Sequence, residues 1–116
     1  MSDGSLLNIS SDPKTLFADI KCEKVGAREA QIIENDVRAQ GPTRKWRIVM
    51  DLSDVTLLAS MGLGMLVSLH KTCTQNGGKL IVCNIRPDIA EVLRITHLER
   101  VLKIVKDREA AVKAVG

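Results

Sequence analysis

The chain predicts an α/β sandwich: a mixed β-sheet, parallel in its core with an N-terminal hairpin, and about four helices packed on it. Three observations carry that reading. Short apolar runs alternate with longer amphipathic stretches along most of the 116 residues, the pattern of strands joined by helical crossovers. "WRIVMDL" (46–52) and "KLIVCNI" (79–85) are nearly continuous in apolar character, as strands covered on both faces are. The two opening runs are separated by only "SDPK", so they read as antiparallel neighbours.

Taken in order, "SLLNIS" and "TLFADIKC" are the hairpin strands, with Asp12-Pro13 suited to the turn. "GAREAQIIENDVRAQG" (26–41) is a helix: Ala30, Ile33 and Val37 recur at helical spacing, and Gly41-Pro42 ends it. Strand 46–52 follows, then a polar turn at Ser53-Asp54 and a short apolar stretch leading to Ser60. A second helix spans 61–76, with Leu63, Leu66, Val67, His70 and Cys73 expected on its core face. Asn76-Gly77-Gly78 accepts a left-handed turn after it. Strand 79–85 completes a parallel β-α-β unit. Pro87 opens the helix "PDIAEVLRITH", where its missing N–H costs nothing. "VLKIVK" is the last strand, and "DREAAVKAV" the last helix, with Asp107 as its cap.

Length and composition predict one domain over 1–116, with 45% hydrophobic and 27% charged residues, the balance of a soluble globular protein. No apolar run approaches the roughly 20 residues of a membrane span, and "MSDGSLLNIS" lacks the basic and apolar regions of a secretory signal. A cytoplasmic setting is expected. Cys22, Cys73 and Cys83 have no CxxC spacing, so all three read as buried thiols rather than disulfides or zinc ligands. The net charge of +3 is spread along the chain, and one Trp and one Phe leave base-stacking platforms almost absent. Nucleic-acid binding is therefore not expected.

"LLASMGLGMLVS" (57–68) is where function concentrates. Ser60 stands between a strand and a helix, a position where serine caps the orphan N–H groups of the first turn. Gly62 and Gly64 each disfavour a helix by about 1 kcal/mol relative to alanine, so something must approach closely there. A dinucleotide fingerprint would need glycine where Val67 stands, and no GxxxxGK[ST] occurs. A serine nucleophile elbow would need glycine at Leu58, and His70 lies about 15 Å along the same helix. No enzyme activity, metal or cofactor is expected. A recognition surface remains, in which a phosphate on Ser60 would add roughly −1.5 to −2 charges at one point.

"DLSDVTLLASMGLGMLVSLHK" followed by "GGKLIVCNIRPDIAEVLRITHLERVLKIV" resembles the STAS domain of the anti-sigma factor antagonists, over roughly residues 46–106. The resemblance implies a STAS-like fold and function by partner switching, without enzymatic activity. Ser60 falls on the serine that a partner kinase phosphorylates in that family. Gly62, Leu63 and Gly64 fall on its Gly-Leu-Gly. Ala59 stands where the family has aspartate, and Met61 where it has serine or threonine. The implied partner surface is Ala59, Ser60, Met61, Gly62, Leu63 and Gly64. The implied partners are an anti-sigma factor with serine kinase activity and a PP2C-type phosphatase, with neither nucleic acid nor membrane. Two alternatives stay open: a scaffold subunit that is never phosphorylated and packs with copies of itself or other sensors, and a small-ligand-binding module.

Overall fold

The computed structural model describes residues 6–115. Five strands form the main sheet: β1 (Leu7–Ser11), β2 (Leu16–Ile20), β4 (Arg47–Asp51), β6 (Lys79–Cys83) and β7 (Lys103–Val105), in the spatial order β1-β2-β4-β6-β7. β1 and β2 are antiparallel, with Leu7 opposite Ile20. β2, β4, β6 and β7 are parallel, with Ile48 opposite Leu16 and Leu80. The mixed sheet with its N-terminal hairpin is as the sequence predicts. Ser5 of the predicted first strand and the segment "MSDGS" lie outside the described residues.

Local chemistry accounts for the turns. The Asp12 carboxylate accepts the N–H groups of Lys14 and Thr15 at 2.8 and 2.7 Å, folding the hairpin connection. Helix α1 (Ala27–Gln40) buries Ala30, Ile33 and Val37, the three positions its periodicity names. It ends at Gln40 with Gly41 as its C-cap, as the Gly41-Pro42 pair predicts. The chain tightens there into a 3₁₀ turn, Gly41–Arg44, in which proline needs no donor. Helix α3 (Pro87–Ile95) begins at Pro87, and α4 (Arg108–Val115) is capped by Asp107, whose carboxylate accepts the Ala110 N–H at 2.9 Å.

Strand alternation divides the core between the two faces of the sheet. Leu16, Ala18, Ile20, Ile48, Met50, Leu80 and Val82 face the side shared by α1, α2 (Ser60–Gln75) and α3. Phe17, Val49, Ile81 and Cys83 face the other side, where Ala111 and Val115 of α4 cover them.

Three expectations are corrected. Cys73 and Cys83 are buried, but Cys22 is half-buried at the end of β2, where the chain leaves the sheet. The buried face of α2 is Gly62, Met65, Leu66, Leu69 and Cys73, leaving Leu63, Val67 and His70 half-buried. The first half of this helix is apolar on more than one side, so its period alone did not select a face. Finally, two short strands were not foreseen. β3 (Lys24–Val25) and β5 (Leu57–Leu58) pair in parallel, and two residues are too few to show a period.

Candidate functional site

The approach to Ser60 is held by its backbone. At the end of β4, Asp51 accepts the Ser53 N–H through Oδ1 and the Asn84 side-chain amide through Oδ2, both at 2.9 Å, fixing the turn that leaves the sheet. The N–H groups of Thr56 and Leu57 then donate to the Glu23 carbonyl at 2.8 and 3.1 Å, and the Ala59 N–H donates to the Val25 carbonyl at 3.0 Å. This small ladder delivers the chain to the first turn of α2 in one geometry.

The cap is Ala59, not Ser60. Ala59 is extended (φ −75°, ψ 173°) and its carbonyl accepts the first helical bond, from the Leu63 N–H at 3.0 Å. Ser60 is therefore the first helical residue, and no side chain caps the helix. The predicted serine cap fails because helical geometry starts one residue early, so the Ser60 hydroxyl is not drawn back onto the backbone. Its side chain is exposed.

The six residues singled out in the sequence divide between two sides of the helix. Ser60, Met61 and Gly64 are exposed, Ala59 and Leu63 are half-exposed, and Gly62 is buried. A Cβ at position 62 would stand 2.6 Å from Leu58 Cδ1 and 3.0 Å from the Val25 carbonyl oxygen. Gly62 thus lets β3 and β5 close against the helix, and its place on an outward surface is corrected. Gly64 does the opposite: nothing lies within 4 Å of where its Cβ would be.

Around Ser60 the surface is apolar. Leu57 is 53% exposed and Met61 60% exposed, large fractions for side chains of that kind. From Gly64 an open groove of about 480 Å³ runs along α2, lined by Leu63, Gly64, Val67, Ser68, Lys71 and Leu98. Sequence reading placed Leu63 and Val67 in the core and did not name Leu57, Lys71 or Leu98 for this region. The available signal was the i, i+4 spacing of Leu63 with Val67 and of Val67 with Lys71 on one side of the helix. No acidic residue stands in the first turn of α2. Among the described residues no cluster of three metal-ligating side chains occurs, and no helix is long and apolar enough to cross a membrane.

The parallel strands thus feed an exposed serine at a helix start, beside an apolar groove. Comparison with known proteins places the molecule: the STAS domain family matches residues 28–111, and the chain belongs to that family. It is 29% identical over 90 residues, 78% of each chain, to BtrV of Bordetella bronchiseptica, a protein named as an anti-sigma factor antagonist. In three dimensions it is similar to a Thermotoga maritima protein named the same way, with a TM-score of 0.82 at 20% identity over 99% of this chain and 98% of that one. It is also similar to the Bacillus cell fate determinant SpoIIAA in its phosphorylated form, with a TM-score of 0.73 at 13% identity over 95% and 99% of the two chains.

Proposed function

We propose that this chain is an anti-sigma factor antagonist that works by partner switching. Unmodified, it binds an anti-sigma factor with serine kinase activity; phosphorylation at Ser60 dissolves the complex, and a PP2C-type phosphatase restores it. The observation that carries this reading is the uncapped, exposed Ser60 hydroxyl between exposed Leu57 and Met61 at the start of α2. The anti-sigma factor antagonist name of the BtrV relative supports the partner class. The likeness to a protein solved in phosphorylated form is consistent with modification. In this reading the chain is a binding module rather than a catalyst, working in a reducing cytoplasm.

The physical mechanism is desolvation. Leu57, Met61, Leu63 and the groove beyond Gly64 lose contact with water when a partner docks, and that burial contributes roughly 25 cal/mol per Å². A phosphate on Ser60 adds roughly −1.5 to −2 charges in the middle of that patch, which the partner would then have to desolvate. The helix start accommodates the charge within the monomer, because its N–H groups and dipole favour anions. The switch therefore acts on the complex and leaves the fold unchanged. Ser60→Asp is expected to weaken binding to the cognate kinase at least tenfold, about 1.4 kcal/mol, with Ser60→Ala binding like wild type. Equal retention of the kinase by Ser60→Asp and wild type in surface plasmon resonance would remove Ser60 as the switch.

Ala59 and Met61 favour a second reading, a scaffold subunit that is never modified and packs with copies of itself or other sensors. Neither side chain offers a kinase the charge or hydroxyl that the family has at those positions. Incubation with the cognate kinase and ATP, followed by intact-mass measurement, separates the two readings. Gain of one phosphoryl group, absent in Ser60→Ala, supports switching; an unchanged mass supports the scaffold.

A further inference from the structure

The opposite end of the sheet carries a second feature that partner switching does not use. At the N-terminal ends of β2 and β4, the hairpin connection and the turn after the 3₁₀ segment together line a cavity of about 280 Å³. Its walls are Pro13, Lys14, Thr43, Arg44, Lys45 and Arg47. Four of those six residues are cationic. Among the described residues, none of the four is within ion-pair distance of a carboxylate.

The central cation is positioned by neutral groups. The Arg44 guanidinium donates from Nε to the Asp12 carbonyl at 2.7 Å, and from its terminal nitrogens to the Thr43 carbonyl and Ser11 Oγ at 3.0 Å each. These bonds fix the plane of the guanidinium without neutralising it, and leave two of its five N–H groups unassigned. Asp12, whose carbonyl accepts from Arg44, has one carboxylate oxygen occupied by the backbone N–H groups of Lys14 and Thr15.

The backbone beside it is strained and locked. Lys45 and Trp46 both lie in the left-handed region, at φ 56° and 59°. For non-glycine residues this is unfavourable and persists only where the surroundings impose it. Here the Trp46 ring fills the space over Gly41, where a Cβ would collide with it. The Trp46 N–H donates to the Gly41 carbonyl at 2.9 Å, its own carbonyl accepts the Lys79 N–H at 2.9 Å, and Gly78 leaves room for that carbonyl where any side chain would clash. The fold thus sustains two strained residues in a row, and the result is a rigid turn that sets Lys45 and Arg47 on the same cavity as Arg44.

The geometry points to a binding site for a phosphate monoester at this end of the molecule. A planar guanidinium pairs with a phosphoryl group through two parallel N–H bonds, and three further cations match a group of roughly −1.5 to −2 charges better than a single carboxylate. The volume lies just under the roughly 300–1,000 Å³ of drug-sized pockets, so it takes a phosphoryl group with a small organic remainder. That group can arrive on a small metabolite or on a phosphorylated side chain of a partner. The site is remote from Ser60, which follows the other end of β4.

Trp46, the single tryptophan of the chain, supplies the readout. Its emission is followed while inorganic phosphate, O-phospho-L-serine, decaglutamate and a twelve-nucleotide single strand are titrated at constant ionic strength against chloride. Phosphate or phosphoserine is expected to produce a saturable change with a Kd of about 1 mM or tighter. Arg44→Gln is expected to weaken it about tenfold, and so is the pair Lys14→Gln with Lys45→Gln, whose exposed side chains are not needed for folding. Ser60→Asp should titrate like wild type, which keeps this result independent of the switching test. Tighter binding of phosphoserine assigns the group to a monoester or phosphorylated side chain, and equal binding assigns it to free phosphate; both support the site. A response no larger than that of chloride overturns it, as does an unchanged Kd in the lysine pair. Saturation by decaglutamate or by the oligonucleotide without saturation by either phosphate compound also overturns it, in favour of an acidic peptide or a nucleic acid.

Discussion

Gly62 and Gly64 are two positions apart, have the same helix propensity, and stand in opposite circumstances. Gly64→Ala adds a methyl group in open space and is expected to stabilise the protein by about 1 kcal/mol, the propensity difference. Gly62→Ala drives its methyl into Leu58 and the Val25 carbonyl, so overpacking of roughly 1–3 kcal/mol should outweigh that gain. Urea denaturation of the two variants checks the contrast, and equal shifts would contradict the packing described. Ala59 leaves the helix start uncapped, so Ala59→Asp should add about 1 kcal/mol through a new bond to a first-turn N–H. The thiols act at the alkaline end. Burial pushes Cys73 up to about 12 and Cys83 up to about 11. In the unfolded chain both ionise in the ordinary thiol range, so above that range the unfolded state releases protons that the folded state keeps, and stability falls as pH rises. Cys73→Ala should flatten that alkaline slope in thermal melts, although its methyl also leaves a small cavity.

At the scale of elements, the helices differ in what holds their first turns. In α1 the Glu29 carboxylate accepts the Gly26 N–H at 3.0 Å, half of a reciprocal cap because glycine has no side chain to return the bond. That carboxyl is held below its usual range by its own backbone N–H first, then by that of Gly26, then by Arg28. The cap is at full strength above the ordinary carboxylate range and is lost as pH falls from there through the lowered folded value. In α4 the first residue is a cation, Arg108, which the helix dipole disfavours. A tertiary contact outweighs the dipole: its guanidinium donates to Asp19 Oδ1 at 2.6 Å and lies 4.4 Å over the centre of the Phe17 ring. Arg108 therefore pins α4 to the end of β2. Arg108→Lys keeps the charge but loses the planar stacking, and should lower stability by about 1 kcal/mol in chemical denaturation.

For the whole molecule, the decisive asymmetry is between the two faces of the sheet. Three helices cover one face, whereas the other depends on α4, which seals Phe17, Val49, Ile81 and Cys83 with little more than Ala111 and Val115. Ala111→Asp would put an unpaired carboxylate there and lift α4 away. Cys83 should then react with a thiol reagent much faster than in wild type, while Cys73, on the buried side of α2 over the other face, should react slowly in both. The layout also separates the two ends of the parallel strands. The exposed serine follows the C-terminal end of β4, with the apolar groove running from there along α2, and the cationic cavity lies at the N-terminal ends of β2 and β4.

Order and type of the principal elements were legible in the residues because they depend on near neighbours: the β-branched runs of β4 and β6, the 30/33/37 period of α1, Pro87 and Asp107 at helix starts. The Gly-Leu-Gly after Ser60 likewise marked the region that matters. Which way those residues face was not legible. The direction of Gly62, the half-buried state of Leu63 and Val67, the cap at Ala59 and the paired strands at Val25 and Leu58 all depend on segments more than thirty residues apart packing together. The left-handed turn at Lys45-Trp46 shares that origin in part, since the nearby Gly41 holds it from one side and the distant Gly78 from the other. Local propensity sets what a segment forms; burial against distant segments sets how that segment is turned, and a helix such as α2, whose first half is apolar on more than one side, leaves that choice to the tertiary fold.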